Sequence, residues 1–132
     1  MNELRKIDLL VKQTELETGT TQIIYQGKAL RIQNDAMCSL TYTESQEFEV
    51  ILDIFQQSLV LARIGETTTI LNFDPAQKKD GSIATNYGVI PLVVTTENLE
   101  ISASRLRWSY RLSQGEALIG AYVSEWTMEE TV

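Results

Sequence analysis

The side chain best suited to chemistry in this sequence is Arg63. It closes the run Leu59-Val60-Leu61-Ala62-Arg63. Successive side chains of an extended strand alternate between two faces, so Arg63 shares a face with Leu59 and Leu61. Where that face is interior, the guanidinium must be paired or hydrogen-bonded, because an isolated buried charge is prohibitively costly. Glu44 has matching parity with Cys38, Leu40 and Tyr42 and is the natural partner. Two readings stay open. Arg63 grips a carboxylate or phosphate bidentately, as an anion anchor, or it forms an internal ion pair with Glu44 that only fixes strand register.

Aromatic residues form a second set: Tyr42, Phe73, Tyr87, Trp108, Tyr110, Tyr122 and Trp126. Rings with polar tips line many small-molecule pockets. They also fill cores, and a small barrel is either packed solid or holds one ligand. A third set, Arg105, Arg107 and Arg111, alternates with Leu106, Trp108, Tyr110 and Leu112. These arginines are expected on a solvated wall, paired across strands with acidic residues, rather than as a stripe for RNA.

Other chemistries find little support. Histidine is absent, which removes the commonest general base and metal ligand and every histidine-based triad. Cys38 has no histidine to activate it and is expected to be a buried, inert thiol. Glu47 and Glu49 share a strand face, as a glycosidase-like pair would, but that face is the solvated one. No phosphate-binding loop, nucleophile elbow, metal-ligand cluster or dinucleotide fingerprint is present. No catalytic residue, cofactor or metal is expected.

The elements that must position these residues are strands. In Phe48-Glu49-Val50-Ile51-Leu52-Asp53-Ile54 the even positions are apolar, and 47, 49 and 53 are acidic. Alternation of this kind puts one face in a core and the other in water. Leu106-Arg107-Trp108-Ser109-Tyr110-Arg111-Leu112 repeats it, and residues 4–16 read as a further strand. Turn residues recur at Thr18-Gly19, Asn34-Asp35, Gln56-Gln57, Gly65-Glu66, Gln77–Gly81, Glu97-Asn98 and Gln114-Gly115. That spacing gives about nine hairpin-connected strands. Gly27 and Gly88 sit inside strand-like runs and mark bends or bulges, with Pro91 at an edge or bulge position. Residues 82–96 and 99–112 read as strands long enough to curl around a barrel wall. Closure of one antiparallel up-and-down barrel of about eight to ten strands removes the unpaired edges. Without paired cysteines flanking a Trp, an immunoglobulin-like sandwich is not favoured.

Size and charge agree with one domain over residues 1–132. The net charge is −7, from 18 acidic and 11 basic residues. Nucleic acid is therefore not an expected partner. One cysteine permits no intramolecular disulfide, and a reducing, cytoplasmic home is expected. No signal-peptide h-region and no apolar run near the ~20 residues of a membrane span occurs.

The stretch Leu40-Thr41-Tyr42-Thr43-Glu44 resembles the L-x-Y-x-E of the YwiB-like bacterial proteins, small calycin-like (lipocalin-like) barrels found mainly in Firmicutes. Leu61-Ala62-Arg63-Ile64-Gly65 is similar to their R-x-G turn, and Ala84-Thr85-Asn86-Tyr87-Gly88 to their T-x-(Y/F)-G segment. Leu71-Asn72-Phe73, Thr95-Thr96 and Trp108-Ser109-Tyr110 fall in the corresponding order, so the likeness spans roughly residues 5–128. Ile83 stands where the family often has Tyr, and the Gly that usually follows Y-x-E is absent. The resemblance implies a calycin-like barrel and no activity. The expected lumen residues are Arg63, Glu44, Tyr42, Thr85, Tyr87, Trp108 and Tyr110. The leading expectation is a barrel binding a small amphipathic or anionic molecule. The alternative is an interaction or structural module, conceivably homodimeric, using a patch near Val60, Ile64, Arg107 or the Trp126 end.

Overall fold

A computed structural model of the chain describes residues 3–45 and 47–130; the outermost residues of the expected 1–132 domain lie outside them. The elements are β1 (Glu3–Glu15), β2 (Thr21–Gln33), β3 (Cys38–Glu44), β4 (Phe48–Ile54), β5 (Leu59–Ile64), β6 (Thr68–Phe73), β7 (Lys79–Thr85), β8 (Gly88–Ile101), β9 (Arg105–Gln114) and β10 (Ala117–Glu130). Each strand pairs antiparallel with its sequence neighbours, and β1 pairs with β10 to close the barrel. This is the closed antiparallel up-and-down barrel that the alternation implies.

The count is ten strands rather than nine because the run 82–96 is interrupted. Asn86-Tyr87 makes a two-residue turn, and Gly88 follows at φ +132°, a backbone conformation that disfavours any side chain. The Thr85 hydroxyl ties the turn, accepting from Tyr87 N at 3.1 Å and donating to Gly88 O at 3.0 Å. Conversely, Glu97-Asn98 is no turn. The register of β8 against β9 shifts between Glu97 and Glu100, and Asn98 takes φ +55°, so these residues form a bulge inside β8. The turn falls at Ser102–Ser104, and the connection read at 77–81 lies earlier, with Lys79–Gly81 already in β7. Pro91 pairs only with Ser82 on β7, because the β9 ladder begins at Val93. Its missing N–H leaves no gap in a ladder.

Register stacks the inward residues in rows. Leu40, Leu52, Leu61 and Leu71 lie side by side across β3–β6, with Gly81 and Leu92 continuing the row. Below them Ile54, Leu59 and Phe73 are buried, with Ile7, Leu9, Leu106 and Met128 from β1, β9 and β10. That end, at the turns 34–37, 55–58 and 102–104, is packed solid. The buried apolar side chains face the lumen, and most charged side chains, Arg63 and Glu44 apart, face the outside.

One seam is incomplete. β2 and β3 pair only from Gln33↔Cys38 to Leu30↔Thr41. Above that point β2 continues to Thr21 without a ladder to β3, and the two strands meet through side chains, Tyr25 stacking on Tyr42.

Candidate functional site

The half of the lumen opposite the leucine-packed end is not filled. It holds a cavity of about 270 Å³ lined by Val11, Gln13, Ile24, Tyr42, Glu44, Val50, Leu61, Arg63, Trp108, Tyr110, Ser124 and Trp126. These residues come from β1, β2, β3, β4, β5, β9 and β10, so the cavity is a property of the closed barrel and not of any hairpin. It is nearly twice the roughly 150 Å³ that accepts benzene in an engineered apolar core.

Four of its lining residues, Tyr42, Trp126, Trp108 and Tyr110, belong to a continuous aromatic ladder. Tyr25 stacks on Tyr42 at 4.1 Å between centroids, Tyr42 meets Trp126 at 5.8 Å, and Trp126 meets Trp108 at 6.3 Å. Phe73 then touches Trp108 at 5.3 Å and Tyr110 at 4.8 Å, and Tyr110 touches Tyr122 at 5.4 Å. Tilted and edge-on contacts of this kind each add to area burial.

At the mouth stand Arg63 and Glu44. Arg63 donates from Nε to Oε2 at 3.1 Å and from Nη2 to Oε1 at 3.3 Å. The side chains are 38% and 27% exposed. The guanidinium also lies 3.7 Å over the Phe48 ring, a cation–π contact. Phe48 can lie there because residue 65 is Gly: a Cβ on Gly65 would run into that ring and come within 2.7 Å of the Glu47 carbonyl. The Arg63-Ile64-Gly65 pattern thus has a packing cause, with the glycine clearing space for the ring on which the arginine rests.

Deeper polar groups are unevenly satisfied. Trp126 Nε1 donates to Ser124 Oγ at 3.2 Å, and Tyr110 donates to Gln13 Oε1 at 3.3 Å. Among the described residues two buried side-chain polar atoms lack a protein partner, Trp108 Nε1 and Thr96 Oγ1. Trp108 is only 1% exposed and lines the cavity. Burial pushes the Tyr42 phenol well above its usual range, with nearby Glu44 adding to the effect; burial does the same to Tyr110. Both are therefore neutral hydroxyls at neutral pH.

A model of the family described as domain of unknown function DUF1934 matches residues 7–125. The chain belongs to that family. The solved structure of the ywiB protein from Bacillus subtilis is similar at a TM-score of 0.76 and 15% identity, covering 98% of this chain and 94% of that one. That likeness is one of fold. No curated protein matches the chain.

Within this DUF1934 barrel, the expected lumen residues divide. Arg63, Glu44, Tyr42, Trp108 and Tyr110 converge on the cavity. Thr85 and Tyr87 do not: Thr85, the last residue of β7, is tied to the β7–β8 turn, and Tyr87, at its tip, is fully exposed. A strand-like Thr-x-Tyr pattern is the source of that misplacement. Trp126 itself is buried in the ladder. Arg105 and Arg107 both reach Glu125, at 2.6 and 3.7 Å, as the solvated-wall reading expects. Cys38 is half-buried, and desolvation raises its thiol pKa. Gln13, Ser124 and Tyr25 are contributors the sequence reading passed over. Gln13 shares parity with Leu9 and Val11, and Ser124 with Tyr122 and Trp126, so both were accessible to the same argument. Tyr25, with the parity of Gly27 and Ala29, was accessible too; Ile24 was not, because the β1–β2 register shifts beside it and inverts the parity there.

Proposed function

We propose that this barrel binds one small molecule in the open half of its lumen, with the Arg63–Glu44 pair at the mouth. The observation that carries this is the cavity itself: about 270 Å³, aromatic-lined, in a barrel whose other half is packed solid. Lipocalins use closed up-and-down barrels in the same way. The unladdered β2–β3 seam beside Ile24, Tyr42 and Glu44 supplies a lateral route in. A reducing, cytoplasmic setting fits the unpaired cysteine.

Native mass spectrometry of protein purified gently from its own host tests the proposal. A co-purifying small mass is expected, and it is lost in Leu61→Trp, which fills the cavity. A Leu61→Trp variant that carries the same adduct, or protein bare in both forms that takes up no probe in solution, overturns it.

A second reading, self-association, is favoured by one observation. Outward residues Thr41, Ile51, Ala62, Ile70, Ser82 and Pro91 form an uncharged row across β3–β8, with exposed Ile64 and Val89 beside it. In a chain of net charge −7, such a band lets two copies meet without like-charge repulsion. A dimer in light scattering that Ile70→Lys dissociates supports it; a monomer at high concentration removes it.

A further inference from the structure

We infer that the ligand of the lumen is an apolar monocarboxylate, its body in the cavity and its head group on the unused edge of the Arg63 guanidinium. This rests on the lumen-binding reading and names the ligand class of that site.

Three observations lead to that class. The first is which donors of Arg63 are in use. A guanidinium is a planar fork of five N–H donors. Glu44 takes the side-on edge, with Oε2 on Nε and Oε1 on Nη2. The end-on edge, formed by Nη1 and the second N–H of Nη2, donates to no protein atom among the described residues. That edge matches the two oxygens of a second carboxylate. Glu44 therefore does not use Arg63 up. Together with the Phe48 ring, 3.7 Å from the guanidinium carbon, it holds the fork in place, and a fork held in advance loses less freedom when it grips. Internal partner and anion anchor are thus roles for two different edges of one side chain.

The second is a hydroxyl. Tyr42 lines the same cavity, and both Arg63 and Glu44 lie near enough to act on its phenol. Among the described residues that hydroxyl has no protein partner, and unlike the sealed Trp108 Nε1 and Thr96 Oγ1 it keeps accessible surface. It stays protonated at neutral pH, so a head group at the mouth has a second donor from a second strand.

The third is the contrast between mouth and lumen. Arg63 is 38% exposed, so a charged head there keeps part of its hydration. Beyond it the lining is Val11, Ile24, Val50, Leu61 and the aromatic rings, which suits an apolar body. Scaled from benzene in a cavity of roughly 150 Å³, the space takes about ten carbon atoms. Charge then separates the candidate heads. A carboxylate gains a charge-assisted, two-pronged contact, and its repulsion from Glu44 acts with the guanidinium charge between them in a mouth that water screens. An amide offers one oxygen where the edge has two donors. An amine meets a like charge, with Glu44 already engaged. A phosphate brings a further negative charge toward Glu44.

Naphthoate, naphthamide and naphthylmethylamine share one bicyclic body and differ in the head: anionic, neutral and cationic. Each is titrated by calorimetry against the full chain and three variants. Arg63→Lys keeps the charge and loses the fork, Tyr42→Phe keeps the ring and loses the hydroxyl, and Leu61→Trp fills the cavity. The wild-type chain is expected to bind naphthoate about tenfold more tightly than naphthamide, the margin of a charge-assisted contact over a neutral one, and the amine most weakly. Arg63→Lys is expected to erase most of that preference. Tyr42→Phe is expected to weaken naphthoate about fivefold, the worth of one hydrogen bond, and Leu61→Trp to abolish binding of all three. Naphthamide or the amine binding as tightly as naphthoate overturns the carboxylate class and leaves lumen binding intact. A preference for naphthoate that survives Arg63→Lys overturns the head-group site on the fork, and an unchanged affinity in Tyr42→Phe overturns the hydroxyl's part in it. Full naphthoate binding by Leu61→Trp, or no binding of any probe by the wild-type chain, overturns lumen binding itself. The ranking of heads is read on the wild-type protein, so it stands even if a variant folds poorly.

Discussion

Arg63 and Glu44 meet across a strand that lies between them: Arg63 is on β5, Glu44 on β3, and Val50 of β4 is the register partner of Arg63. The fork therefore staples three strands at the rim of the cavity. Both partners are partly solvated, so a double-mutant cycle with Arg63→Ala and Glu44→Gln is expected to give a coupling energy of only about 0.5–1 kcal/mol. Urea denaturation of the four proteins measures it. A value near zero would mean the pair serves access to the lumen and not stability.

Gly65 should be sensitive out of proportion to its place in a half-buried turn. Gly65→Ala pushes the Phe48 ring from beneath Arg63. The expected loss is about 1–2 kcal/mol, combining displaced packing with the cation–π contact. Thermal unfolding checks it, and Phe48→Leu should remove most of the sensitivity of position 65.

Ser45 occupies φ +56° in the β3–β4 turn, a conformation that favours Gly. Its side chain makes one long hydrogen bond, 3.4 Å from Glu47 N. Ser45→Gly removes the strain of a left-handed L-residue at the cost of some unfolded-chain entropy. A net gain of about 0.5–1 kcal/mol is expected, read as a higher urea midpoint at unchanged slope.

Alkaline pH should unfold the barrel through its aromatic ladder. Burial raises the phenols of Tyr42 and Tyr110, so the folded state keeps protons that the unfolded chain releases near about pH 10. This contribution to stability is complete below that pH and is lost as pH rises through the raised values. Phenolate absorbance and circular dichroism recorded together should show these two tyrosines ionising only with the loss of the fold.

Hydrogen exchange should expose the unladdered seam. Amides of residues 21–29 that point away from β1 have no β3 ladder to protect them. They are expected to exchange much faster than their alternating neighbours, which bond to β1. Ligand seated beside Ile24 and Tyr42 should slow them.

The parts of this structure that parity governs were legible in the sequence. A period of two assigns a face without knowing any partner, so it placed Arg63 and Glu44 inside and Arg105 and Arg107 outside. Parity fails where the chain changes register. The shift beside Ile24 hid Ile24 itself, and the bulge at Asn98 looked like a turn because αL-tolerant residues serve both. Tyr87 is a good strand former held in a turn by the hydroxyl of Thr85, the last residue of β7, and by a glycine, a local preference overruled by local hydrogen bonding. The cavity was not legible at all. Whether side chains from seven strands fill a lumen depends on summed volumes and on which rings stack, and no single segment encodes that.

The strand order carries a consequence for how the chain reaches this state. Nine of the ten seams join consecutive strands, and one, between β1 and β10, joins segments at opposite ends of the described chain. The hairpins need only short loops closed, whereas the last seam brings together residues such as Ile7 and Glu130 and bears the largest loop-closure entropy. Until it forms there is no enclosed lumen. The lumen is therefore enclosed only once that seam closes, and anything that occupied it would add its binding free energy to the ring's closure.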